Sequence, residues 1–298
     1  MLKTLGALIA TLAASACGSS EDTAASGPVG PFKIGAIADC QYADQEPDRE
    51  RLYRSCPAKL EEAVGVLNEF DLDFVMHLGD FVDSGWDNFA PLNKIMDDLR
   101  HPVRHVAGNH DYWVSDEQKA GVHTMLGMPD RYYSFQHGNW VFALVDGNDL
   151  SYHAWPKDSE RHRESVRYHK RGHSDKATWN GAVGETQLAW LDNLMRKADK
   201  SGRRVVVFSH FPVFPDHENN LWNADEVVSM FESHPSATAW IAGHNHDGAY
   251  QEKKGVHYIT LKAMLDTERN SFSIIEFDDR KLTVLGFGRQ DNLELEIF

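Results

Sequence analysis

A chain of 298 residues with 42% hydrophobic and 25% charged residues has the make-up of a folded globular protein with an ample core. Its formal net charge of −15 excludes nucleic-acid binding through a general basic surface. An anionic substrate therefore needs local positive charge, which the 16 histidines or a bound metal can supply.

Lys3 precedes an apolar stretch, Leu5 to Leu12, that is too short to span a membrane. Ala14-Ser15-Ala16-Cys17 follows, and small residues directly before a Cys resemble a bacterial lipoprotein processing site. The implication is a signal peptide over residues 1–16, a lipid on Cys17 and a membrane anchor; a plain secretory signal cleaved near Ala16 is the other reading. Either way the protein is expected to be exported, to the periplasm or cell surface. Residues 17–31, rich in Ser, Ala and Gly, read as a flexible tether, and 32–298 as one domain. Only Cys40 and Cys56 remain within that domain. Export permits a disulfide between them, and a buried free thiol at Cys40 is the alternative. Without a Cys cluster, a thiolate zinc site is excluded.

The apolar run from Ile34 reads as a buried strand that ends abruptly at Asp39, with Gln41 two residues on. Pro57 to Phe70 has helical spacing at Leu60, Ala63, Val64, Leu67 and Phe70. Phe74 to Leu78 is a second strand, running into Gly79-Asp80-Phe81-Val82-Asp83. Phe89 to Leu99 is a second helix, and Val103 to Ala107 a third strand that leads into Gly108-Asn109-His110-Asp111. Tyr132 to Phe135 and Trp140 to Val145 read as paired strands that turn at Gly138-Asn139. Residues 148–183 lack apolar periodicity and are dense in His, Arg, Lys and Trp, so they read as an irregular substrate-side loop, with disorder as the alternative. Thr186 to Lys200 is a helix with Leu188, Leu191 and Leu194 inward; Val205 to Ser209 is a strand ending in His210. Ala224 to Phe231 is a short helix, and Thr238 to Ala242 a strand ending in Gly243-His244-Asn245-His246. His257 to Lys262, Ser271 to Phe277 and Lys281 to Phe287 suggest an antiparallel meander. The sum is α/β: two packed sheets flanked by helices.

Five strands thus end in groups that bind divalent first-row metals: Asp39 with Gln41, Asp80, Asn109, His210, and His244 with His246. Two neighbouring cations need a bridging carboxylate with further oxygen and nitrogen donors on each side. Asp80 is the natural bridge, because Gly79 lets the backbone turn sharply beneath it. Any one of these pieces alone is an ordinary turn or a lone histidine; their order, each after an apolar strand, is what carries the reading.

With these residues in place, the chain resembles the calcineurin-like metallophosphoesterases, whose pattern is D-x-H, G-D-x-x-D, G-N-H-D/E, a later His, and G-H-x-H. The resemblance covers residues 32–298 and matches at Asp80, Asp83, Asn109, His110, His210, His244 and His246, but Gln41 stands where the superfamily usually has His. That departure, together with Arg51 to Ser55, Gln187 to Leu194, Ser209 to Pro215 and Gly243 to Gly248, is similar to the manganese-dependent ADP-ribose/CDP-alcohol diphosphatase family. The resemblance implies a four-layer sandwich of two mixed β-sheets between helical layers. It implies one metal held by Asp39, Gln41, Asp80 and His246, and another by Asp80, Asn109, His210 and His244. His110 then follows a ligand and is expected to protonate the leaving group as the general acid, with Asp111 orienting or charging its ring and Asp83 supporting a ligand. A neutral amide oxygen at Gln41 is harder than imidazole nitrogen and shifts preference toward Mn2+ or Mg2+ and away from zinc or iron.

The expected reaction is hydrolysis of a small-molecule phosphoric anhydride or phosphodiester, such as a nucleoside diphosphate-linked compound. A phosphomonoesterase outside the cytoplasm and a noncatalytic metal- or ligand-binding lipoprotein are the alternatives. For substrate contacts, the aromatics Tyr42, Tyr112, Trp113, Phe211, Phe214 and Trp222 lie near the motifs, with Tyr112, Phe211 and Trp222 the foremost. Arg161, Arg163, Arg167, Lys170 and Arg171 either approach a diphosphate or form a solvated face.

Overall fold

Each strand at the centre of the molecule is a short apolar run covered on both faces. The computed structural model describes residues 30–298; the expected signal peptide, Cys17 and nearly all of the expected tether lie outside the described residues. The chain begins with β1 (Phe32–Ile37), α1 (Cys56–Leu67), β2 (Phe74–His77), α2 (Phe89–Met96) and β3 (Val103–His105). The three strands pair in parallel, as strands joined by helical crossovers do. Both helices stop earlier than the spacing suggested. Phe70 and Leu99 pack against the core from the turns that follow.

After the short α3 (Val122–Met125) come β4 (Tyr133–His137) and β5 (Trp140–Val145), an antiparallel hairpin turned at Gly138, which has φ +57°. The segment expected to be irregular is folded. It contains β6 (Leu150–Ser151), the 13-residue α4 (Glu160–Gly172) and β7 (Gly181–Ala182), with β6 and β7 forming a small ribbon. Apolar periodicity misses α4 because its buried face is polar, made of Ser165 and His169. Ser165 Oγ accepts from Ser151 N at 3.1 Å, and Tyr152 Oη lies 3.2 Å from His169 Nδ1. The helix is specified by its ends instead: Ser159 caps it by accepting from His162 N, Glu160 sits in the first turn, and His169, Lys170 and Arg171 in the last.

Next are α5 (Glu185–Ser201), closed by Gly202 at φ +65°, then β8 (Arg204–Ser209), α6 (Ala224–Phe231) and β9 (Ala237–Ala242). The chain ends with β10 (Ala249–Lys253), β11 (Val256–Thr260), β12 (Ser271–Phe277), β13 (Lys281–Gly288) and β14 (Leu293–Glu296). One six-stranded sheet has the order β14-β13-β12-β1-β2-β3, the other β10-β11-β9-β8-β5-β4. The expected meander is therefore corrected. β11 belongs to the second sheet, parallel to β9, and the antiparallel meander is β12-β13-β14. The sequence pattern of β11 matches that of its neighbours, and nothing local says which sheet edge it joins.

Three apolar layers hold the sandwich together. Phe32, Ile34, Phe74, Met76, Phe142, Phe208, Ile241 and Ile275 fill the space between the sheets. Leu60, Leu67, Phe89 and Leu92 bind α1 and α2 to the outside of the first sheet. Leu191, Met195, Val227 and Phe231 bind α5 and α6 to the outside of the second. The order helix, sheet, sheet, helix is the expected four-layer sandwich, and it brings the carboxyl ends of β1, β2 and β3 beside those of β8 and β9.

Candidate metal centre

The loops that leave those five strands are joined to each other before any side chain is considered. Gln41 N donates to Asp80 O at 2.8 Å, Asp39 N to Gly79 O at 3.2 Å, and Gly243 N to His210 O at 3.0 Å. Asp39, Gln41, Asp80 and His244 all adopt left-handed backbone, with φ of +54°, +47°, +52° and +66°. Non-glycine residues rarely tolerate that region, and such strain gathers at functional sites. Gly79, at φ +88°, cannot be replaced: a Cβ there would lie 2.7 Å from both Gly108 N and His210 Nδ1. Cys40 resolves the open alternative. It forms a buried disulfide with Cys56 at the start of α1, with the two Cα atoms 5.4 Å apart, and so ties the first loop to the helical layer.

Seven donors named from the sequence converge. Asp80 Oδ2 accepts from Gln41 Nε2 at 2.7 Å on one side and lies 3.3 Å from His210 Nε2 on the other. His246 Nε2 is 3.5 Å from Gln41 Nε2 and 3.9 Å from Asp39 Oδ1. Asn109 Oδ1 is 3.1 Å from His210 Nε2. Asp80, His210 and His244 each offer an atom within 4.8 Å of the others. Each histidine has one nitrogen held from behind: His210 Nδ1 lies 2.8 Å from Leu78 O, His244 Nε2 2.8 Å from Asn180 Oδ1, and His246 Nδ1 3.1 Å from Asp266 Oδ1. The opposite nitrogen of each ring is thereby left for the centre. Asn180 and Asp266 were not legible in the sequence. Asn180 lies in the segment without apolar periodicity, and Asp266 in a loop whose carbonyls at Met264 and Thr267 accept from the buried Lys59 Nζ at 2.7 and 2.6 Å. Burial pushes that ammonium down to about 8.

Electrostatics agree with a cation-seeking cluster. Burial pushes Asp39 up to about 6, against the pull of His210 and His246. Burial also pushes Asp80 up, but His210 and His110 outweigh it and hold that carboxyl below the usual range. His210 rises to about 9 because Asp80 overcomes its desolvation, whereas burial drives His244 well down. Among the described residues, neither Asp39 nor Asp80 has a Lys or Arg partner, and Gln41 Oε1 is buried with no hydrogen-bond partner. Two buried carboxylates, an orphaned amide oxygen and three oriented imidazoles fit hard to intermediate divalent cations.

Two expected roles are corrected. Asp111 does not touch the His110 ring. Its carboxylate accepts from the backbone N–H groups of Gly108, Asp80, Phe81 and Val82 at 2.8, 3.1, 2.9 and 3.1 Å, clamping the second and third loops together. Burial and Asp80 nonetheless push it up to about 7, against those donors. Asp83 is the partner of His110, with Oδ1 3.0 Å and its carbonyl oxygen 3.1 Å from Nδ1. Burial opposes charge on His110, but Asp80 and Asp83 outweigh it and raise its pKa.

The foremost substrate aromatics are also corrected. Tyr112, Phe211 and Trp222 are buried. Tyr112 packs under the Arg131 guanidinium, 4.9 Å from its ring, and Phe211 supports the rings of His210 and His244 from 4.9 and 4.6 Å. Trp222 donates to Ala177 O at 2.8 Å beneath the ribbon. Nearness to a motif in sequence does not say which way a ring points. Arg161 is tied to Asp149 and Glu164, and Arg163 to the Asp158 carbonyl, so neither is free for a diphosphate.

Residues 32–248 match the calcineurin-like phosphoesterase family. The chain is 31% identical, over 89% of its length and 97% of the relative's, to the manganese-dependent ADP-ribose/CDP-alcohol diphosphatase of Arabidopsis thaliana. It is 29% identical to the protein of the same name from Danio rerio, over 89% of this chain and 98% of that one. A crystal structure of a dimetal phosphatase from Danio rerio superposes with a TM-score of 0.81 at 28% identity, covering 90% of this chain and 99% of the other. The shared fold, the buried donor cluster and these likenesses agree: the chain belongs to the calcineurin-like phosphoesterase family, as a metal-dependent phosphohydrolase.

Proposed function

We propose that the protein hydrolyses the phosphoric anhydride of nucleoside diphosphate-linked compounds such as ADP-ribose and CDP-alcohols, using two divalent cations of which Mn2+ serves best. The observation that carries the reading is Asp80, whose Oδ2 is approached by Gln41 from one half of the cluster and by His210 from the other. Asp39, Gln41, Asp80 and His246 would hold one cation, and Asp80, Asn109, His210 and His244 the other. When bound, the pair supplies Lewis-acid polarisation of a phosphoryl oxygen and an activated water. His110 protonates the leaving oxygen. Its Nδ1 is fixed by Asp83, which leaves Nε2 as the proton-bearing atom toward substrate. The names of the relatives support the substrate class, and Gln41 supports manganese.

The reading is tested by giving metal-stripped enzyme Mn2+ or Zn2+ and comparing ADP-ribose, CDP-choline, bis-p-nitrophenyl phosphate and p-nitrophenyl phosphate. Preference for the diphosphates with Mn2+ is expected. A strong preference for the monoester rejects it in favour of a phosphomonoesterase, and no turnover of any substrate favours a noncatalytic binding protein.

The protein works outside the cytoplasm, anchored by a lipid on Cys17 after loss of residues 1–16. The Cys40–Cys56 disulfide supports an oxidising compartment. Mass spectrometry of the mature amino terminus checks this: a diacylated or triacylated Cys17 is expected, and an unprocessed Met1 rules it out.

A further inference from the structure

Trp113 and Trp179 keep 48% and 44% of their surface exposed, whereas the foremost substrate aromatics read from the sequence are buried. An exposed aromatic ring beside a functional site offers a face on which a ligand's base can stack. Trp113 follows His110 by three residues, and its ring stacks on the His110 ring at 5.0 Å between centroids and 22° between planes. Trp179 precedes Asn180, whose Oδ1 holds His244, and its indole N–H donates to Asn219 Oδ1 at 3.1 Å, which fixes the ring. His153 packs against Trp113, with the rings 5.8 Å apart, and its Nε2 is 3.2 Å from the carbonyl oxygen of Thr178, the residue before Trp179. Among the described residues, the other large exposed hydrophobics, Tyr250, Leu285 and Phe298, lie on β10, on β13 and at the carboxyl terminus.

We propose that the rim formed by Trp113, His153 and Trp179 is the nucleobase subsite, with Trp113 as the stacking platform; this rests on the nucleoside diphosphate reading above. The rim is contiguous with the centre through Trp113, whose ring lies on that of His110. A diphosphate held at the centre can therefore extend its nucleoside toward the rim. Stacking uses the π-face that every base has and reads no hydrogen-bonding edge. One platform then accepts a purine and a pyrimidine alike. Burial also pushes His153 down to about 4, so the ring packed against Trp113 is uncharged at neutral pH.

The experiment uses the full chain with Mn2+ and three substrates: ADP-ribose, CDP-choline and P1,P2-dimethyl diphosphate, which has the anhydride and no ring. Trp113→Ala is expected to lower kcat/KM for both nucleoside compounds through KM. Its loss on them should exceed its loss on dimethyl diphosphate by about tenfold or more, as expected for one lost stack. Trp113→Phe recovers most of it, and Trp179→Ala shows the same selectivity to a smaller extent. Equal losses on all three substrates would mean that Trp113 only positions His110, and would overturn the subsite. No selective loss in either tryptophan variant overturns it as well. Failure of the underlying reading shows in a different place: the unmodified protein then does not cleave the nucleoside compounds at all, and the subsite falls with it.

Discussion

Gln41 presents its Nε2 to Asp80 and leaves Oε1 buried without a partner, which is the arrangement of an amide waiting for a cation. Gln41→His exchanges a hard oxygen for a softer nitrogen, so metal-stripped protein is expected to shift its preference from Mn2+ toward Zn2+, read as activity and as bound metal under competition. The histidine held by Asp266 gives a second prediction. Asp266→Ala frees His246 Nδ1 and should weaken metal affinity about 10- to 100-fold, measured by titration, while the far-UV circular dichroism is retained. His110 gives a third. His110→Ala should lose about 10²- to 10⁴-fold in kcat/KM on ADP-ribose, and the fall in rate at high pH that marks an essential acid should vanish from the activity that remains. A residual rate that keeps that fall would remove the general-acid role.

At the scale of elements, the loop after β1 is held three ways: by backbone bonds to the loop after β2, by Asp39 accepting from His244 N at 3.0 and 3.1 Å, and by the disulfide to α1. The bridge closes a sequence separation of 16 residues, for which chain entropy predicts about 3 kcal/mol of stabilisation. Cys40→Ala with Cys56→Ala should lower the denaturation free energy by roughly that amount, measured in urea. A reducing agent should leave the double variant unaffected. The segment between β5 and α5 is the other element with a consequence for the site. Its ribbon and α4 bring Asn180 against His244, so a stretch without apolar pattern still decides the orientation of a donor.

The whole molecule is the device that makes five separated motifs into one site. Phe142 sits at the middle of the inter-sheet layer, with its ring 5.2 to 6.1 Å from those of Phe32, Phe74, Phe135, Phe208 and Phe277. Phe142→Ala should cost about 3–5 kcal/mol, seen as a lowered Tm, because it leaves a cavity where both sheets meet. By itself the sequence determined the central strands β1, β2, β3, β8 and β9, whose short apolar runs must be buried, and the donors beyond their ends, since Asp39, Asp80, Asn109, His210 and His244 each follow such a run within a few residues. It also carried the departure at Gln41. Only the tertiary structure decided what depends on direction and distance: that β11 joins the second sheet, that Cys40 meets Cys56, that Asp83 and not Asp111 faces His110, and that Trp113 is open while Tyr112 beside it is buried. The reason is physical. Burial and periodicity are properties of a local stretch and can be read along the chain. The partner of a side chain is set by the packing of elements far apart in sequence, and no local pattern encodes it.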